Sequence, residues 1–155
     1  MATLGYGVIE KGKAFKSTMI DYGVVLTPKD ENLAVRLCML EEGIRQIIAK
    51  FKPDEIAVEE LFFAKNVTTG INVAHARGVL LLTAVKECGR LYEYTPLQIK
   101  QALTGYGRAD KHQIQAMVKT YLNLKSIPRP DDAADALAVA LCHAQTNKLG
   151  KLFSI

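Results

Sequence analysis

The segment Asp131-Asp132-Ala133-Ala134-Asp135-Ala136-Leu137-Ala138-Val139-Ala140 limits what this chain can fold into more than any other. Alanine is the strongest helix former, and a helix lined with it can lie close against a sheet. Residues three apart on a helix share a face, so Asp132 and Asp135 are expected to project side by side. Two like charges there repel, and the arrangement is poor unless something positive stands between them. A divalent cation is one answer. Helix capping is the other, because aspartate at the N-cap or in the first turn complements the helix dipole. Capping suits Asp131, which is expected to be the N-cap. It suits Asp135 badly, since that residue lies a full turn in and an apolar stretch follows.

Upstream, Tyr6–Glu10 and Phe15–Val25 are rich in β-branched and aromatic residues, with Lys11-Gly12-Lys13 as a turn between them. An antiparallel hairpin is the reading. Pro28-Lys29-Asp30 then opens a helix with Leu33, Leu37, Leu40, Ile44, Ile47 and Phe51 at steps of three and four, closed by Pro53. Ile56-Ala57-Val58 is a short buried strand ending in charge. A helix from about Thr69 to Glu87 follows, stopped by Gly89, then a strand over Leu91–Thr95. Further helices are expected over Leu97–Leu103, Lys111–Leu122 and from Asp131 or Asp132 onward. A hairpin followed by alternating helices and strands predicts an α/β fold: a mixed central sheet with helices on its faces, as one domain over residues 1–155.

The chain's 155 residues carry a net charge of +4, but the charge is uneven. Between Lys86 and Arg129 stand eight basic and three acidic residues, a net +5 that leaves −1 elsewhere. A basic surface suits a polyanion, because neutralising phosphates releases condensed counterions. A solvated helix face would look the same from charge alone. No apolar run approaches the ~20 residues of a membrane-spanning helix, and no basic-then-apolar leader opens the chain. Cytoplasm is the expected compartment. Cys38, Cys88 and Cys142 show neither metal-ligand nor disulfide spacing and read as small buried hydrophobes.

Glu59 and Glu60 follow the Ile56–Val58 strand directly. In α/β sheets ligands bind just outside the carboxyl ends of strands. A carboxylate there needs water, a partner or a metal. Taken with Asp132 and Asp135, it suggests an all-oxygen site with open positions, which selects Mg²⁺ or Mn²⁺. Two such ions about 4 Å apart can cleave a phosphodiester. Beside a basic surface, nucleic acid is the natural substrate.

These residues resemble the RuvC family of bacterial crossover-junction endodeoxyribonucleases. The likeness runs essentially end to end. It rests on Gly5-Tyr6-Gly7-Val8-Ile9-Glu10, on Ala57-Val58-Glu59-Glu60-Leu61-Phe62-Phe63-Ala64-Lys65-Asn66, on Ala76-Arg77-Gly78, and on Asp132-Ala133-Ala134-Asp135-Ala136-Leu137-Ala138. The resemblance implies an RNase H-like fold, a homodimer, and paired symmetric nicks in opposing strands of a four-way (Holliday) junction during recombination and repair. It implies Glu59, Asp132 and Asp135 as catalytic metal ligands for two Mg²⁺, with Mn²⁺ able to substitute. Lys100 and Lys111 match basic residues that line the site, and Phe62 or Phe63 an aromatic that stacks on bases, with Phe62 the better aligned. Branch-migration proteins are implied as partners. The alternative is a family member that binds junctions without cutting them.

One departure stands out. Family members begin with a strand reading approximately Gly-Ile-Asp-Pro-Gly, several residues before Gly-Tyr-Gly-Val-Ile, and its aspartate is a principal metal ligand. These 155 residues contain no such strand, and Asp21, on the hairpin, is wrongly placed to replace it. In the family that strand is central, pairing with the hairpin on one side and the Ile56–Val58 strand on the other. Each buried backbone group left without a partner costs about 1–3 kcal/mol against a total stability of only ~5–15 kcal/mol. Impaired cleavage and marginal stability are therefore expected. A version extended by a Gly-Ile-Asp-Pro-Gly strand should nick a synthetic four-way junction in Mg²⁺ faster than the 155-residue chain; equal rates would contradict the expectation.

Overall fold

A computed structural model describes residues 2–13, 16–60, 67–146 and 153–154, with side chains described for 4–13, 16–60 and 71–146. Strands β1 (Ala2–Lys11) and β2 (Ser17–Thr27) form the expected hairpin, with Gly5 opposite Val24 and a bulge between Val8 and Ile9. Helix α1 (Leu33–Phe51) begins later than Pro28. Its N-cap is Asn32, whose side chain accepts from the Val35 N–H at 2.9 Å. Asparagine satisfies one of the helix's orphan donors there, so it and not the proline sets the start. Lys52 ends α1 in a left-handed conformation.

Strand β3 (Ile56–Glu59) runs parallel to β4 (Arg90–Tyr94), joined by helix α2 (Val67–Glu87). Two capped helices follow: α3 (Pro96–Thr104) under a Thr95–Gln98 capping box and α4 (Lys111–Tyr121) under an Asp110–Gln113 box. Helix α5 spans Asp131–Gln145. A short strand β5 (Phe153–Ser154), which periodicity did not suggest, pairs antiparallel with β4.

The mixed sheet is in two parts. β1 and β2 form one sheet and β3, β4 and β5 another, with no ladder between β1 and β3 among the described residues. The division falls where the resemblance places the strand that these residues lack. Helices cover both faces. Leu40, Ile44 and Ile48 of α1 pack with Leu4, Val25 and Ile56, and with Val79 and Leu80 of α2. On the other face Tyr92 and Tyr94 pack with Leu103, Val118, Leu137, Leu141 and Cys142 from α3, α4 and α5.

Helix α5 bridges the two sheets, packing on β1, β2, β3 and β4. Small residues on both sides allow the approach. A Cβ on Gly5 would land on the Asp132 carbonyl, and one on Gly7 would meet the Leu137 side chain at 2.7 Å. At the far end of the helix, His143 Nδ1 lies 2.6 Å from the Tyr94 hydroxyl and its Nε2 2.8 Å from Glu55. Burial pushes the Tyr94 hydroxyl up to about 12, and the imidazole ties Tyr94 on β4 and Glu55 just before β3 to the end of α5. Of the three cysteines Cys142 alone is buried; Cys38 is exposed and Cys88 intermediate, because they fall at the edge of and beyond the buried stripes of their helices.

Two substitutions separate a contact made mainly to a side chain from one made to backbone. Gly7→Ala meets the buried Leu137 side chain at 2.7 Å and its backbone nitrogen at 3.0 Å, whereas Gly5→Ala meets the Asp132 carbonyl. Overpacking typically costs ~1–3 kcal/mol. Gly5→Ala is expected at or above the top of that range by urea denaturation and Gly7→Ala within it; the reverse order would contradict this packing.

Candidate metal and nucleic-acid site

Alternation along β3 decides where Glu59 points. Ile56 and Val58 belong to the clusters with α1 and α2, while Ala57 packs on the α5 side. Successive strand residues face opposite ways, so Glu59 shares the α5 face with Ala57. Its backbone is held from two elements. The Glu60 N–H donates to the Tyr94 carbonyl at 2.7 Å, and Arg77 Nη1 donates to the Glu59 carbonyl at 2.7 Å.

The first turn of α5 supplies the other carboxylates. Its N-cap is Pro130, which makes no side-chain cap bond. Asp131 is therefore not the expected cap. It is the first helical residue, and its carboxylate is taken by Lys111 at 3.1 Å, by Arg129 at 2.9 Å and by Gln115 Nε2 at 3.3 Å. These bonds, the one to Lys111 foremost, hold its carboxyl below the usual range. A carboxylate there still complements the helix dipole without capping.

Asp135, one turn further, is half-buried. Burial raises its carboxyl first; Lys111, 4.0 Å away, lowers it, and Asp132 and then Asp131 raise it further. Glu59 is likewise raised, by burial and then by the charge of Asp135, against the lowering effect of Lys100. The Lys111 ammonium is raised in turn, chiefly by its hydrogen bond to Asp131 and then by Asp135. Glu59, Asp135, Lys100 and Lys111 thus form one electrostatic set at the carboxyl end of β3. Asp132 is exposed beside it, close enough for its charge to act on Asp135 and Lys111.

The basic stretch read from the sequence is not one surface. Lys100 and Lys111 stand at the site, whereas Arg90 opens β4 at the end remote from the Glu59–Tyr94 pair, with Lys86 just before it at the end of α2. Phe62 and Phe63 lie outside the described residues. Asp21 accepts from the Tyr6 hydroxyl at 2.9 Å and takes no part in the site. Arg77 was legible as part of a motif, but nothing in the sequence assigned it to Glu59.

Hard carboxylate oxygens match a divalent cation of the Mg²⁺ class. Two like charges in a half-buried place also call for one. The convergence is partial, however. Among the described residues no group of three histidine, cysteine, aspartate or glutamate side chains gathers closely enough to hold a metal ion. The charge of Asp135 acts on Glu59, and the charge of the exposed Asp132 acts on Asp135.

The family described as "Crossover junction endodeoxyribonuclease RuvC" matches residues 1–143. The RuvC of Clostridioides difficile (strain 630), a crossover junction endodeoxyribonuclease, is 54% identical over 152 residues, covering 97% of this chain and 89% of the relative. That of Petrotoga mobilis is 56% identical over 140 residues, covering 90% and 85%. Among solved structures, Thermus thermophilus RuvC in complex with a Holliday junction substrate aligns with a TM-score of 0.89 at 35% identity, over 97% of this chain and 92% of that one. A second Thermus thermophilus RuvC structure aligns at 0.86 with 36% identity, over 99% and 93%. The fold is accordingly the RNase H-like fold of those structures. No helix among the described residues is long and apolar enough to cross a membrane. The chain belongs to the RuvC family.

Proposed function

We propose that this chain is a structure-selective DNA endonuclease that resolves four-way junctions by paired nicks. The observation that carries the reading is that Glu59, at the carboxyl end of β3, feels the charges of Asp135 on α5 and of Lys100, with Lys111 4.0 Å from Asp135. The family supports it, as does the likeness to a relative described as bound to a Holliday junction. A homodimer fits the same logic, because a two-fold pair of subunits presents two equivalent sites to a two-fold substrate.

Glu59 and Asp135 would hold a divalent cation, Mg²⁺ or Mn²⁺, with Asp132 beside them. Such a cation supplies Lewis-acid polarisation of the phosphodiester and neutralises charge on the leaving oxygen. Lys100 draws Glu59 toward its ionised form and offers a positive contact to a phosphate. Lys111, bonded to Asp131 at 3.1 Å, would stay beside a cation held at Asp135 and offer its positive charge to a phosphate there. Phe62 and Phe63 are assigned base stacking on the family resemblance alone. The second reading, a member that binds junctions without cutting them, draws on the finding that no group of three metal-ligating side chains gathers among the described residues.

The sign of the pH effect follows from the raised carboxyls. Both groups hold their protons to higher pH than ordinary carboxylates, so the ionised pair burdens the folded state at neutral pH. The folded state gains stability as pH falls through that range, and cation uptake, which needs the ionised forms, is lost there.

Asp135→Asn should therefore melt higher than the unsubstituted chain in chelator at neutral pH, yet lose Mn²⁺ uptake. A lower melting temperature would contradict the electrostatic account. Glu59→Gln and Asp135→Asn should each slow nicking of a synthetic four-way junction by roughly a hundredfold or more, the scale of losing one charge-stabilising group. Unchanged nicking by either variant would sink the site assignment, and salt-dependent junction binding with no nicking by the unsubstituted chain would favour the second reading.

A further inference from the structure

Arg77 is the basic side chain in the sequence motif Ala76-Arg77-Gly78 to which the endonuclease reading gives no work. It is an improbable phosphate contact, since its side chain is only 15% exposed and both arms of its guanidinium are engaged. Nη1 donates to the carbonyl oxygen of Glu59 at 2.7 Å. Nη2 pairs with the Glu93 carboxylate on β4, whose register partner is Val58, the residue before Glu59.

The carbonyl of Glu59 and the N–H of Glu60 belong to one peptide plane. Arg77 grips the first, and the Tyr94 carbonyl accepts from the second at 2.7 Å. A plane held at both edges fixes the backbone torsion of Glu59, and with it the direction its side chain leaves the strand. The hold matters here because β3 ends at Glu59, and the bond from the Glu60 N–H is the last that ties it to β4 among the described residues. Arg77 works through the backbone: the charges acting on the Glu59 carboxyl are those of Asp135 and Lys100. A misplacement of ~1 Å at a reacting group can cost a hundredfold.

We infer that Arg77 is a positioning residue that, anchored by Glu93, clamps the Glu59 peptide so that the Glu59 carboxylate meets Asp135. The inference rests on the endonuclease reading for its purpose. It does not rest on it for its geometry. Lysine keeps the charge that Glu93 requires but lacks the rigid fork that reaches two partners at once. Arg77→Lys therefore removes the clamp while leaving Glu93 paired, and Glu93→Gln loosens the anchor without touching Arg77.

The test uses the full chain, titrated with Mn²⁺ alone and, separately, with a synthetic four-way junction in chelator. Arg77→Lys is expected to lose about tenfold in Mn²⁺ affinity, as partners that orient metal ligands typically do. Junction affinity should stay within about twofold, and the Glu59 carbonyl ¹³C resonance should shift. Glu93→Gln should move the same readouts in the same direction by less. On a Glu59→Gln background, Arg77→Lys should change Mn²⁺ affinity no further. Loss of junction affinity with Mn²⁺ uptake intact would make Arg77 a DNA contact and overturn the inference. Lower stability with Mn²⁺ affinity and the carbonyl resonance both unmoved would overturn it as well. If the unsubstituted chain takes up no Mn²⁺, the endonuclease reading falls by itself. The carbonyl resonance then decides the clamp: a shift in Arg77→Lys keeps it, and an unmoved resonance removes it.

Discussion

The closeness with which α5 lies against two separate sheets is the constraint on which the rest of the structure depends. Among the described residues β1 and β3 share no ladder, so side-chain packing has to do what hydrogen bonds between strands would otherwise do. It does so through the smallest residues available. Ala133, Ala134 and Ala138 are buried on the helix, and Gly5 and Gly7 face it from β1. Leu137 and Leu141 fill the space between. The helix is then fastened at both ends, by Lys111, Arg129 and Gln115 on Asp131 and by Tyr94 and Glu55 around His143. With its height, rotation and ends settled, the direction of Asp135 is settled too.

That direction works against stability. Glu59 arrives from β3 and Asp135 from α5, and burial together with like charge raises both carboxyls. A fold selected for stability alone would pair each with a cation or place something apolar there. Lys100 and Lys111 offset part of the repulsion, but Lys111 is divided between two aspartates. A local conflict of this kind, set inside an otherwise well-packed core, is where function is expected to reside.

The sequence was legible where a local rule and the packing agreed. The hairpin, the apolar spacing of α1, the strand before Glu59 and the capped helices α3 and α4 all stand within a few residues of the expected positions. It was less legible where two local signals competed. Pro28 and Asn32 both mark a helix start, and the side-chain cap of Asn32 prevailed. Asp131 resembled an N-cap, but cations on α4 and before α5 draw its carboxylate outward. Features made by contacts between distant segments left no local trace. The two-residue β5 has too little pattern to detect, the basic run divides between opposite ends of β4, and the bond from Arg77 to Glu59 spans eighteen residues. Of the candidate site, Glu59 and Asp135 were readable as carboxylates at a strand end and on an alanine-lined helix. Their electrostatic coupling, and the exposure of Asp132, were not.

The central claim is that β3 and α5 bring Glu59 and Asp135 together as one cation site. Anomalous diffraction from crystals grown with Mn²⁺ tests it most directly. The account predicts a manganese peak between the Glu59 and Asp135 carboxylates that disappears in Asp135→Asn. Manganese bound elsewhere, with that carboxylate pair left empty, would contradict it.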